Sequence, residues 1–524
     1  METAIETLPD DPVLLRAMVL AMRSELLRVT QKHDAAEEQI ARLELLVSQL
    51  QRAQFGKRSE KLDPDQFNLA LEDAEQAIAK IQAEDEKANP ETKTKKARSD
   101  KRRADRASLP NHLPRIDVVI EPESTACPCC GGAMHVIGDD CSSRLDVIPA
   151  QYQVIVTHRP KYACRGCEGT ISQAAAPARL IEGGLPTERM VASVLVAKYA
   201  DHLPLYRQEQ ILARQGIKID RSTLANWVGY AAAELKPIWA QMRDDLLRST
   251  KVFVDETPAP VLDPGRGTTK TGYFWAIARD DRPWDGGDPP AVVYTYAPGR
   301  GTNHAASLLE DFVGVLQTDG YSAYKSIASK KPNQVTLAHC WAHCRRKFFD
   351  VTKNGPSPIA DQALEKIAAF YQIEKQIRGQ NAEERRSVRQ EKTRPLLEEL
   401  KSWAEARMAE VSGKSNIAKA IRYVLAHWTG LARFLDDGRI EIDSNAVERA
   451  MRPIALNRKN ALFAGHDEGA ENWAMIASLI ESCKLNDVNP AEYLADVITK
   501  LVNNWPNSRI NEMTPWGWAA QTQG

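Results

Sequence analysis

The stretch Lys251-Val-Phe-Val-Asp-Glu-Thr-Pro258 contains three apolar residues followed by two acids. From here on, short apolar runs replace the helical patterns that precede residue 251. Short runs that are rich in Val, Ile and aromatic side chains are typical of β-strands. Two more runs of this kind follow, over 272–278 and 291–296. We therefore predict three successive strands, the first over 251–254, with Asp255 at its end.

The residues after the third strand predict helices and strands in alternation. A helix is predicted over 303–312, a strand over 313–318, a second helix after that strand, and a last strand near 335–338. Three strands, then helix, strand and helix, is the element order of a ribonuclease H-like α/β domain. Because Asp319 directly follows the fourth strand, this topology would place its carboxylate beside that of Asp255 at one edge of the sheet.

A third acid is expected on a later helix. The residues around 444–452 carry apolar side chains at the helical spacing i, i+3, i+4 and i+7: Val447, Ala450, Met451 and Ile454. Glu448 lies beside this apolar face, so a helix packed on the sheet could bring its carboxylate to the two aspartates. Pro453 is expected to kink or end the helix.

Three carboxylates at one point predict a site for hard divalent cations. Mg²⁺ prefers oxygen ligands and keeps several waters, and Mn²⁺ accepts the same ligands. Two such ions about 3.5–4 Å apart can clamp the attacking and leaving oxygens of an in-line phosphoryl transfer. The alternative is that these acids are only solvated, as acids at strand ends often are.

Two pairs of cysteines predict a structural zinc site: Cys127-Pro-Cys-Cys130 and Cys164-Arg-Gly-Cys167. Each Cys-x-x-Cys turn directs two sulfurs at one point, and two turns complete the tetrahedral thiolate shell that structural Zn²⁺ prefers. The residues between the pairs alternate like strands over 144–162, including 154–156, which favours a zinc ribbon. The expected ligands are Cys127, Cys130, Cys164 and Cys167, and a Cys127/Cys129 pairing stays open.

The first fifty residues carry a heptad pattern. Apolar residues recur at alternating steps of four and three from Leu15 to Leu50, with His33 as the single exception. Such spacing over five heptads predicts a coiled coil, which needs a partner helix to bury its seam, so we expect at least a dimer. The alternative is one long amphipathic helix that packs on its own domain.

Two segments have features that are typical of DNA-binding proteins. Residues 93–106 hold eight basic side chains, and such a run either contacts phosphates or is a solvated tail. Residues 205–215, Gly216 and a helix that opens at Asp220 or Ser222 have helix-turn-helix spacing, which also occurs in folds that bind no DNA. The expected contact residues are Lys101, Arg102 and Arg103 in the basic run, and Arg221, Ser222, Thr223 and Asn226 in the second helix.

Composition excludes several classes of protein. The formal net charge is -1, so the chain as a whole is neither basic nor acidic. No run of 18 apolar residues predicts a membrane span, and the N-terminal residues do not resemble a secretory signal. Nine cysteines, an odd number, favour thiols and metal over disulfides. We expect a soluble cytoplasmic protein that acts at the nucleoid and does not bind membranes.

Four motifs stand along the chain: Val254-Asp-Glu-Thr-Pro258, Thr318-Asp-Gly-Tyr-Ser-Ala-Tyr324, Cys340-Trp-Ala-His-Cys-Arg-Arg-Lys-Phe348 and Asn445-Ala-Val-Glu-Arg-Ala-Met-Arg-Pro453, with Arg458-Lys-Asn460 and Phe463-Ala-Gly465 after them. Taken together, they resemble the insertion sequence 66 family of bacterial DDE transposases. The resemblance covers nearly the whole chain. It implies that Asp255, Asp319 and Glu448 are the catalytic triad and hold two Mg²⁺ or Mn²⁺ ions. The implied reaction is DNA cleavage at the element ends followed by strand transfer.

Further contacts and partners can be expected around these motifs. The candidate DNA contacts are Arg345, Arg346, Arg449, Arg452, Arg458 and Lys459. His339, Cys340, His343 and Cys344 would allow a second zinc site, since each like pair is spaced i, i+4, but we favour a helix beside the active site. The expected partners are element-end and target DNA, a second copy of the chain, and accessory proteins of the same element.

The prediction is a multidomain α+β protein. Its parts, in chain order, are a leucine-zipper-like coiled coil (13–52), a charged linker with the basic run (53–109), a zinc-binding ribbon (110–178), a helical, helix-turn-helix-like region (179–245), a ribonuclease H-like catalytic domain (246–465) with a helical insertion (about 355–430), and a C-terminal helical region (466–524). Two other functions stay open. One is a dimeric zinc-containing DNA-binding regulator with an inactive catalytic domain, and the other is a two-metal structure-specific nuclease.

Overall fold

The structure is a computed structural model that describes residues 11–27, 30, 114–119, 129–130, 151–163, 171–263, 268–353 and 355–522. Most of the predicted coiled coil and the whole basic run, with Lys101, Arg102 and Arg103, lie outside the described residues. So do three of the four expected zinc ligands, Cys127, Cys164 and Cys167. The chain divides into two compact units, Met1–Val156 and Thr157–Gly524.

In the first unit, residues 12–27 form a helix, α1. Three residues at predicted heptad positions, Val19, Met22 and Leu26, expose 57%, 66% and 68% of their surface. Exposed apolar side chains in a row on one helix are what a partner helix would cover in a coiled coil. The helical state of this first part agrees with the sequence, and the coiled-coil pairing stays a prediction.

The second unit begins with a small two-stranded sheet. Strands β1 (Lys161–Ala163) and β2 (Ile171–Gln173) are antiparallel, with Ala163 opposite Ile171. The predicted strand over 154–156 is wrong, since these residues are exposed and not in a strand. Just outside this ladder, side chains connect the two segments: Arg159 Nε donates to the carbonyl of Ala174 at 2.9 Å, and Gln173 Nε2 donates to the carbonyl of Arg159 at 2.8 Å.

Three helices follow: α2 (Glu188–Tyr199), α3 (Leu205–Arg214) and α4 (Arg221–Leu247). The turn between α3 and α4 contains Gly216 at φ +76°, a left-handed conformation that favours glycine. Helix α4 begins at Arg221, as the helix-turn-helix spacing predicts to within one residue. Leu224, Trp227 and Val228 are buried on one face of α4, and this packing orients its exposed face.

A five-stranded mixed sheet forms the centre of the second unit. Its strands are β3 (Lys251–Asp263), β4 (Thr268–Arg279), β5 (Ala291–Ala297), β6 (Gly314–Thr318) and β7 (Val335–His339). They lie in the order β5-β4-β3-β6-β7. β3, β4 and β5 are antiparallel neighbours, whereas β6 and β7 are parallel to β3 and to each other. All five predicted strands are present.

The first strand is much longer than the sequence predicts. We expected β3 to end at Val254, but antiparallel pairing with β4 continues from Phe253 opposite Ala278 to Asp263 opposite Thr268. Only the parallel pairing with β6 stops early, at Phe253 opposite Gln317. Asp255 therefore lies inside the strand rather than at its end.

The helices between these strands are α5 (Thr302–Leu308) and α6 (Ser322–Lys330), and α7 (Trp341–Thr352) follows β7. The predicted helix over 303–312 ends four residues early, at Leu308. Phe312 remains fully buried just before β6, so its apolar character reflects the core and not the helix.

The predicted insertion is helical, with α8 (Pro358–Ile377), α9 (Ala382–Val388), α10 (Arg394–Glu410), α11 (Asn416–Ala426) and α12 (Trp428–Ala432). One π-helical turn, Arg389–Thr393, joins α9 to α10. Ile367, Phe370 and Ile421 of the insertion belong to a second apolar core, which the insertion shares with Trp341 and Phe348 of α7. It also buries charge: Arg389, fully buried, donates from Nε and from a terminal nitrogen to the two oxygens of Glu374, both at 2.7 Å.

The C-terminal part is helical from α13 (Asn445–Ala461) through α14 (Asp467–Leu485), α15 (Pro490–Val502) and α16 (Pro515–Thr522). Helix α14 covers the outer edge of β5. The Ser478 hydroxyl accepts from the Tyr294 N–H at 2.8 Å, and the Ser482 hydroxyl accepts from the Val292 N–H at 3.1 Å. These bonds satisfy N–H groups of the edge strand β5, which could otherwise pair with a strand of another chain.

Helix α13 does not end at Pro453, contrary to one of the two outcomes expected from the sequence. It continues to Ala461 because its apolar face stays buried, with Val447 and Ile454 at 0% and 1% exposure. The Tyr294 hydroxyl also donates to the Ala450 carbonyl in the turn before the proline. In the described residues, no helix is long and apolar enough to cross a membrane.

The buried pair in the insertion predicts a large effect on stability. Arg389→Ala should lower the free energy of unfolding by about 3–5 kcal/mol, because it leaves the carboxylate of Glu374 buried without its main partner. The matched control is Arg386→Ala, which removes an exposed ion pair with Glu383 and should leave unfolding unchanged. Urea denaturation measures both, and an unchanged midpoint for Arg389→Ala would contradict the interpretation.

Candidate active site

The sheet brings Asp255 and Asp319 together. β3 and β6 pair in parallel with Lys251 opposite Val315 and Phe253 opposite Gln317. When this register is continued by two residues, Asp255 falls opposite Asp319, which directly follows β6. Parallel neighbours run in the same direction, so both carboxylates are at the same edge of the sheet. The sequence prediction about their relative position therefore agrees with the observed register.

A tight turn holds Asp319 in place. Gly320 has φ +93°, and the turn lets the N–H of Tyr321 donate to Asp319 Oδ1 at 2.8 Å. A Cβ at Gly320 would lie 2.9 Å from the ring of His427, so both the conformation and the space require glycine. The hydroxyl of Tyr423, on α11, donates to the Asp319 carbonyl at 2.6 Å. The helical insertion thus supports the turn that carries the second acid.

A buried amide connects the sheet to the start of α13. Gln317, on β6, is fully buried, and its Nε2 donates to the carbonyls of Glu441 and Asp443 at 2.6 and 3.0 Å. Its Oε1 accepts from the Glu441 N–H at 3.3 Å. The N–H of Trp341 donates to the Ile442 carbonyl at 3.0 Å from the other side. Residues 441–443 are thereby fixed against β6 and the start of α7, immediately before α13 begins.

Glu448 lies in the first turn of α13, beside the start of α7. The Ser444 hydroxyl donates to Glu448 Oε1 at 3.2 Å, and His343 Nδ1 lies 3.7 Å from the same oxygen. The N–H of Ser444 in turn donates to Cys340 Sγ at 3.2 Å. Cys340, His343 and Glu448 offer one potential metal ligand each, and these atoms all lie within 4.8 Å of one another.

The carboxyl group of Asp255 is affected by burial and by the charges of the other acids. Its pKa is raised to about 7, mainly by burial and in smaller part by the charges of Glu256, Asp319 and Glu448, while the hydrogen bond from the Glu256 N–H opposes the increase. Like charges in a half-buried site disfavour ionisation unless a cation compensates them. Carboxylate oxygens are the ligands that Mg²⁺ and Mn²⁺ accept, so this donor set fits such ions.

Asp443 is a further carboxylate with a shifted pKa close to this site. Burial is the main cause that raises its pKa to about 6, and Glu441 and Glu448 add to it. Asn445 opposes the shift, because its N–H and its side-chain amide both donate to the carboxylate, at 3.1 and 2.7 Å. Asp443 thus accepts two hydrogen bonds from the first residue of α13, in addition to carrying its charge.

Sequence reasoning missed Glu256 and Arg300. The Glu256 side chain is 1% exposed and forms an ion pair with Arg300 at 2.6 Å, while the Tyr324 hydroxyl donates to its other oxygen at 2.6 Å. The Arg300 guanidinium stacks on the ring of Tyr321, 4.1 Å from its centroid. This cluster joins β3 to the residues that follow Asp319. No periodic pattern relates residue 300 to residue 256, so the sequence carried no signal for it.

The other predicted site residues are placed as follows. Arg221, Ser222, Thr223 and Asn226 are all exposed on the first two turns of α4, and Arg346, Arg449, Arg452 and Lys459 are exposed on α7 and α13. Arg345 and Arg458 are half-buried: Arg345 lies over the ring of Phe349, and Arg458 donates to the carbonyl of Pro258. Cys130, one of the four expected zinc ligands, is exposed in a turn.

Comparison with protein families identifies the class of protein. Residues 183–472, more than half of the chain, match the model described as "Transposase IS66 family". The chain belongs to this family of transposases. Three further models of the same system match in order: "Transposase C of IS166 homeodomain" over 42–118, "zinc-finger binding domain of transposase IS66" over 124–168, and "IS66 C-terminal element" over 478–516. The family resemblance seen in the sequence is confirmed.

The zinc-finger match spans both cysteine pairs, and it supports the prediction of a structural zinc domain. The identity of the four cysteine ligands stays a prediction.

Curated relatives match over the full length of the chain. The uncharacterized proteins y4qI and y4jD of Sinorhizobium fredii are 42% and 44% identical, over 100% and 99% of this chain and 100% and 98% of their own lengths. The uncharacterized protein y4hP of the same organism is 37% identical over 91% of this chain and 89% of its own length. Each of these relatives therefore matches this chain over about nine tenths or more of its length.

The raised pKa of Asp255 gives a prediction for metal-free protein. Its folded-state pKa of about 7 exceeds the ordinary value of 3.8, so the folded state binds the proton more tightly and loses stability as the pH rises from about 4 to 7. Asp255→Asn removes this loss and should increase the free energy of unfolding at pH 8 by about 2–4 kcal/mol, with a smaller gain at pH 5.

Urea denaturation in buffer with chelator measures the difference at both pH values. An Asp255→Asn variant that is no more stable than the wild type at pH 8 would show that burial and the neighbouring charges do not raise the pKa of Asp255 as described.

Proposed function

We propose that this transposase is of the DDE type: it binds the ends of an insertion sequence and catalyses metal-dependent DNA cleavage and strand transfer. The observation that carries the proposal is the convergence of Asp255, Asp319 and Glu448. Two of these acids are set side by side by the register of β3 and β6, and Asp319 and Glu448 both raise the pKa of Asp255. Membership of the transposase family makes DNA the expected substrate.

The catalytic domain is proposed to have a ribonuclease H-like fold. Support comes from the strand order β5-β4-β3-β6-β7, in which three antiparallel strands are followed by two strands added in parallel on the far side of the first. This order agrees with the element order predicted from the sequence. The insertion between α7 and α13 is then an addition to that fold, and Glu448 comes from the helix after the insertion.

The three acids are proposed as the catalytic residues and as ligands of two Mg²⁺ or Mn²⁺ ions. Such ions, when bound, activate the attacking oxygen and stabilise the leaving oxygen of the phosphodiester. Other side chains of the protein hold the three acids in position. Gln317 fixes the segment before α13, and Ser444 orients the Glu448 carboxylate. Arg300 holds Glu256 beside Asp255, and its side chain, 44% exposed, could also contact a DNA phosphate.

DNA binding is proposed to use the exposed basic residues near the acids. Arg346, Arg449, Arg452 and Lys459 would contact phosphates, and Arg345 and Arg458 would support them from half-buried positions. The first turns of α4 and the basic run over 93–106 would add contacts to the element end. Phosphate contacts of this kind supply affinity that falls as salt rises.

Further proposals concern zinc and partners. Cys127, Cys130, Cys164 and Cys167 are proposed to hold the structural Zn²⁺. The heptad segment is proposed to make the protein at least dimeric, which suits the joining of two element ends, and accessory proteins of the same element are candidate partners. We place the activity in the cytoplasm, at the nucleoid.

Replacement of single acids tests the proposal. Asp255→Asn, Asp319→Asn and Glu448→Gln keep the shape of the side chain but remove a charge that holds the metal. Each should reduce end cleavage and strand transfer by at least about 100-fold. DNA affinity should persist, because cations elsewhere supply it. The assay uses an element-end duplex with Mg²⁺ for the reaction, and a titration in Ca²⁺ for binding.

The matched control is Asp263→Asn, which changes an acid on the same strand and should leave the rate unchanged. Glu256 and Asp443 are unsuitable as neutral controls, because the first is buried against Arg300 and the second accepts two hydrogen bonds from Asn445 at the start of α13. Cleavage by Glu448→Gln at the wild-type rate would refute the third acid. Cleavage without strand transfer by the wild type would favour the structure-specific nuclease, and DNA binding without cleavage would favour the inactive regulator.

A further inference from the structure

A second set of potential metal ligands lies where α7 and α13 begin. Cys340 immediately precedes α7, His343 lies in its first turn, and Glu448 lies in the first turn of α13. The three potential ligand atoms are within 4.8 Å of one another, and His343 Nδ1 is 3.7 Å from Glu448 Oε1. Ligands around a tetrahedral Zn²⁺ ion, at about 2.0–2.3 Å from the metal, are separated by similar but slightly shorter distances.

His343 carries the clearest sign of a missing partner. Its Nδ1 is buried, and within the described part of the chain it has no hydrogen-bond partner. Buried polar atoms are almost always satisfied, so an unsatisfied imidazole nitrogen near a thiol and a carboxylate calls for an explanation. A metal ion in the cluster would supply one, because a neutral imidazole nitrogen is a common metal ligand.

Cys340 is available to the same ion. It is 1% exposed, and its sulfur accepts one hydrogen bond, from the N–H of Ser444. A bond of this kind also stabilises a metal-bound thiolate, and metal binding would displace the thiol proton to solvent.

The donor set differs in kind from that of the aspartates. Asp255 and Asp319 offer only oxygen, which suits Mg²⁺ and Mn²⁺, whereas Cys340, His343 and Glu448 offer sulfur, nitrogen and oxygen. A mixed set of this type selects zinc-like ions. We propose that Cys340, His343 and Glu448 form a Zn²⁺ site, separate from the zinc-finger domain, with three protein ligands and one open position.

The residues in this site are not those that spacing alone suggests. His339 and Cys344 complete the i, i+4 pairs in the sequence but lie elsewhere. The ring of His339 packs edge-on against that of His427, with centroids 5.1 Å apart, and Cys344 is fully buried in the apolar core that α7 shares with the insertion. The site instead combines Cys340 and His343, three residues apart at the start of α7, with Glu448 from the first turn of α13.

The proposed site shares Glu448 with the proposed catalytic centre, which gives it a regulatory consequence. Zn²⁺ that binds Glu448 takes this carboxylate away from Asp255 and Asp319, so Zn²⁺ should inhibit the reaction in the presence of Mg²⁺. This consequence rests on the proposed function, whereas the site itself does not.

Metal counting tests the site without any need for catalysis. The full-length protein is equilibrated with Zn²⁺, desalted and measured by elemental analysis. The wild type should hold one more Zn²⁺ per chain than Cys340→Ser and His343→Gln. Cys344→Ser is the matched control, since it changes a buried thiol one turn along the same helix and should retain the wild-type count. His343 is partly exposed, so its variant decides the matter if Cys340→Ser fails to fold.

A spectroscopic measurement identifies the sulfur ligand. Protein with its zinc finger already loaded is titrated with Co²⁺, and the thiolate-to-cobalt absorption band that appears in the wild type should be lost in Cys340→Ser and kept in Cys344→Ser. Equal zinc counts in the wild type and both cluster variants, or a cobalt band that survives Cys340→Ser, would overturn the site.

Inhibition is measured separately, as the ratio of cleavage rates with and without Zn²⁺ for each protein. His343→Gln should require at least about tenfold more Zn²⁺ for half-inhibition than the wild type. Zinc that binds at the site without slowing cleavage would overturn the inhibitory role. A wild type that never cleaves DNA would refute the proposed function and leave the zinc count as the test of the site.

Discussion

The buried side-chain amide of Gln317 is the interaction on which the arrangement of the candidate active site depends. It is fully buried on β6 and bonds to both the N–H and the carbonyl of Glu441 and to the carbonyl of Asp443. Glu448 follows Asp319 by 129 residues, so no local preference can bring these acids together. Loss of a buried amide would leave the backbone groups of 441–443 unsatisfied, at about 1–3 kcal/mol each. A satisfied network thus sets the position of α13 relative to the sheet.

The helical insertion takes part in the same arrangement. Tyr423, on α11, donates to the carbonyl of Asp319, and Trp341 Nε1 donates to the carbonyl of Leu431 at the end of α12. Arg385, 1% exposed, forms an ion pair with Glu441 at 2.7 Å, in the segment that Gln317 also holds. The insertion therefore contacts the turn after β6 and the residues before α13. A change in the packing of the insertion would reach two of the three acids through these contacts.

The features that follow from local pattern could be predicted, and those that depend on distant partners could not. Short apolar runs predicted all five strands of the sheet, and an acid after the fourth strand predicted the position of Asp319. The length of β3 depends on pairing with β4, which no run of apolar residues reports. The alternation over 154–156 predicted a strand, but these residues are exposed and pair with no strand in the described part of the chain, and alternation alone does not report whether a partner strand is present. Gln317 and Arg300 were missed since each acts through residues far away in sequence.

We propose that the sheet and α13 place the carboxylates of Asp255, Asp319 and Glu448 at one site for divalent metal ions. Anomalous X-ray scattering from crystals of the protein with an element-end duplex and Mn²⁺ tests it most directly. The account predicts manganese in contact with all three carboxylates, between the edge of the sheet and the first turn of α13. Manganese bound by the aspartates with Glu448 distant from every ion, or no manganese at this edge of the sheet, would contradict it.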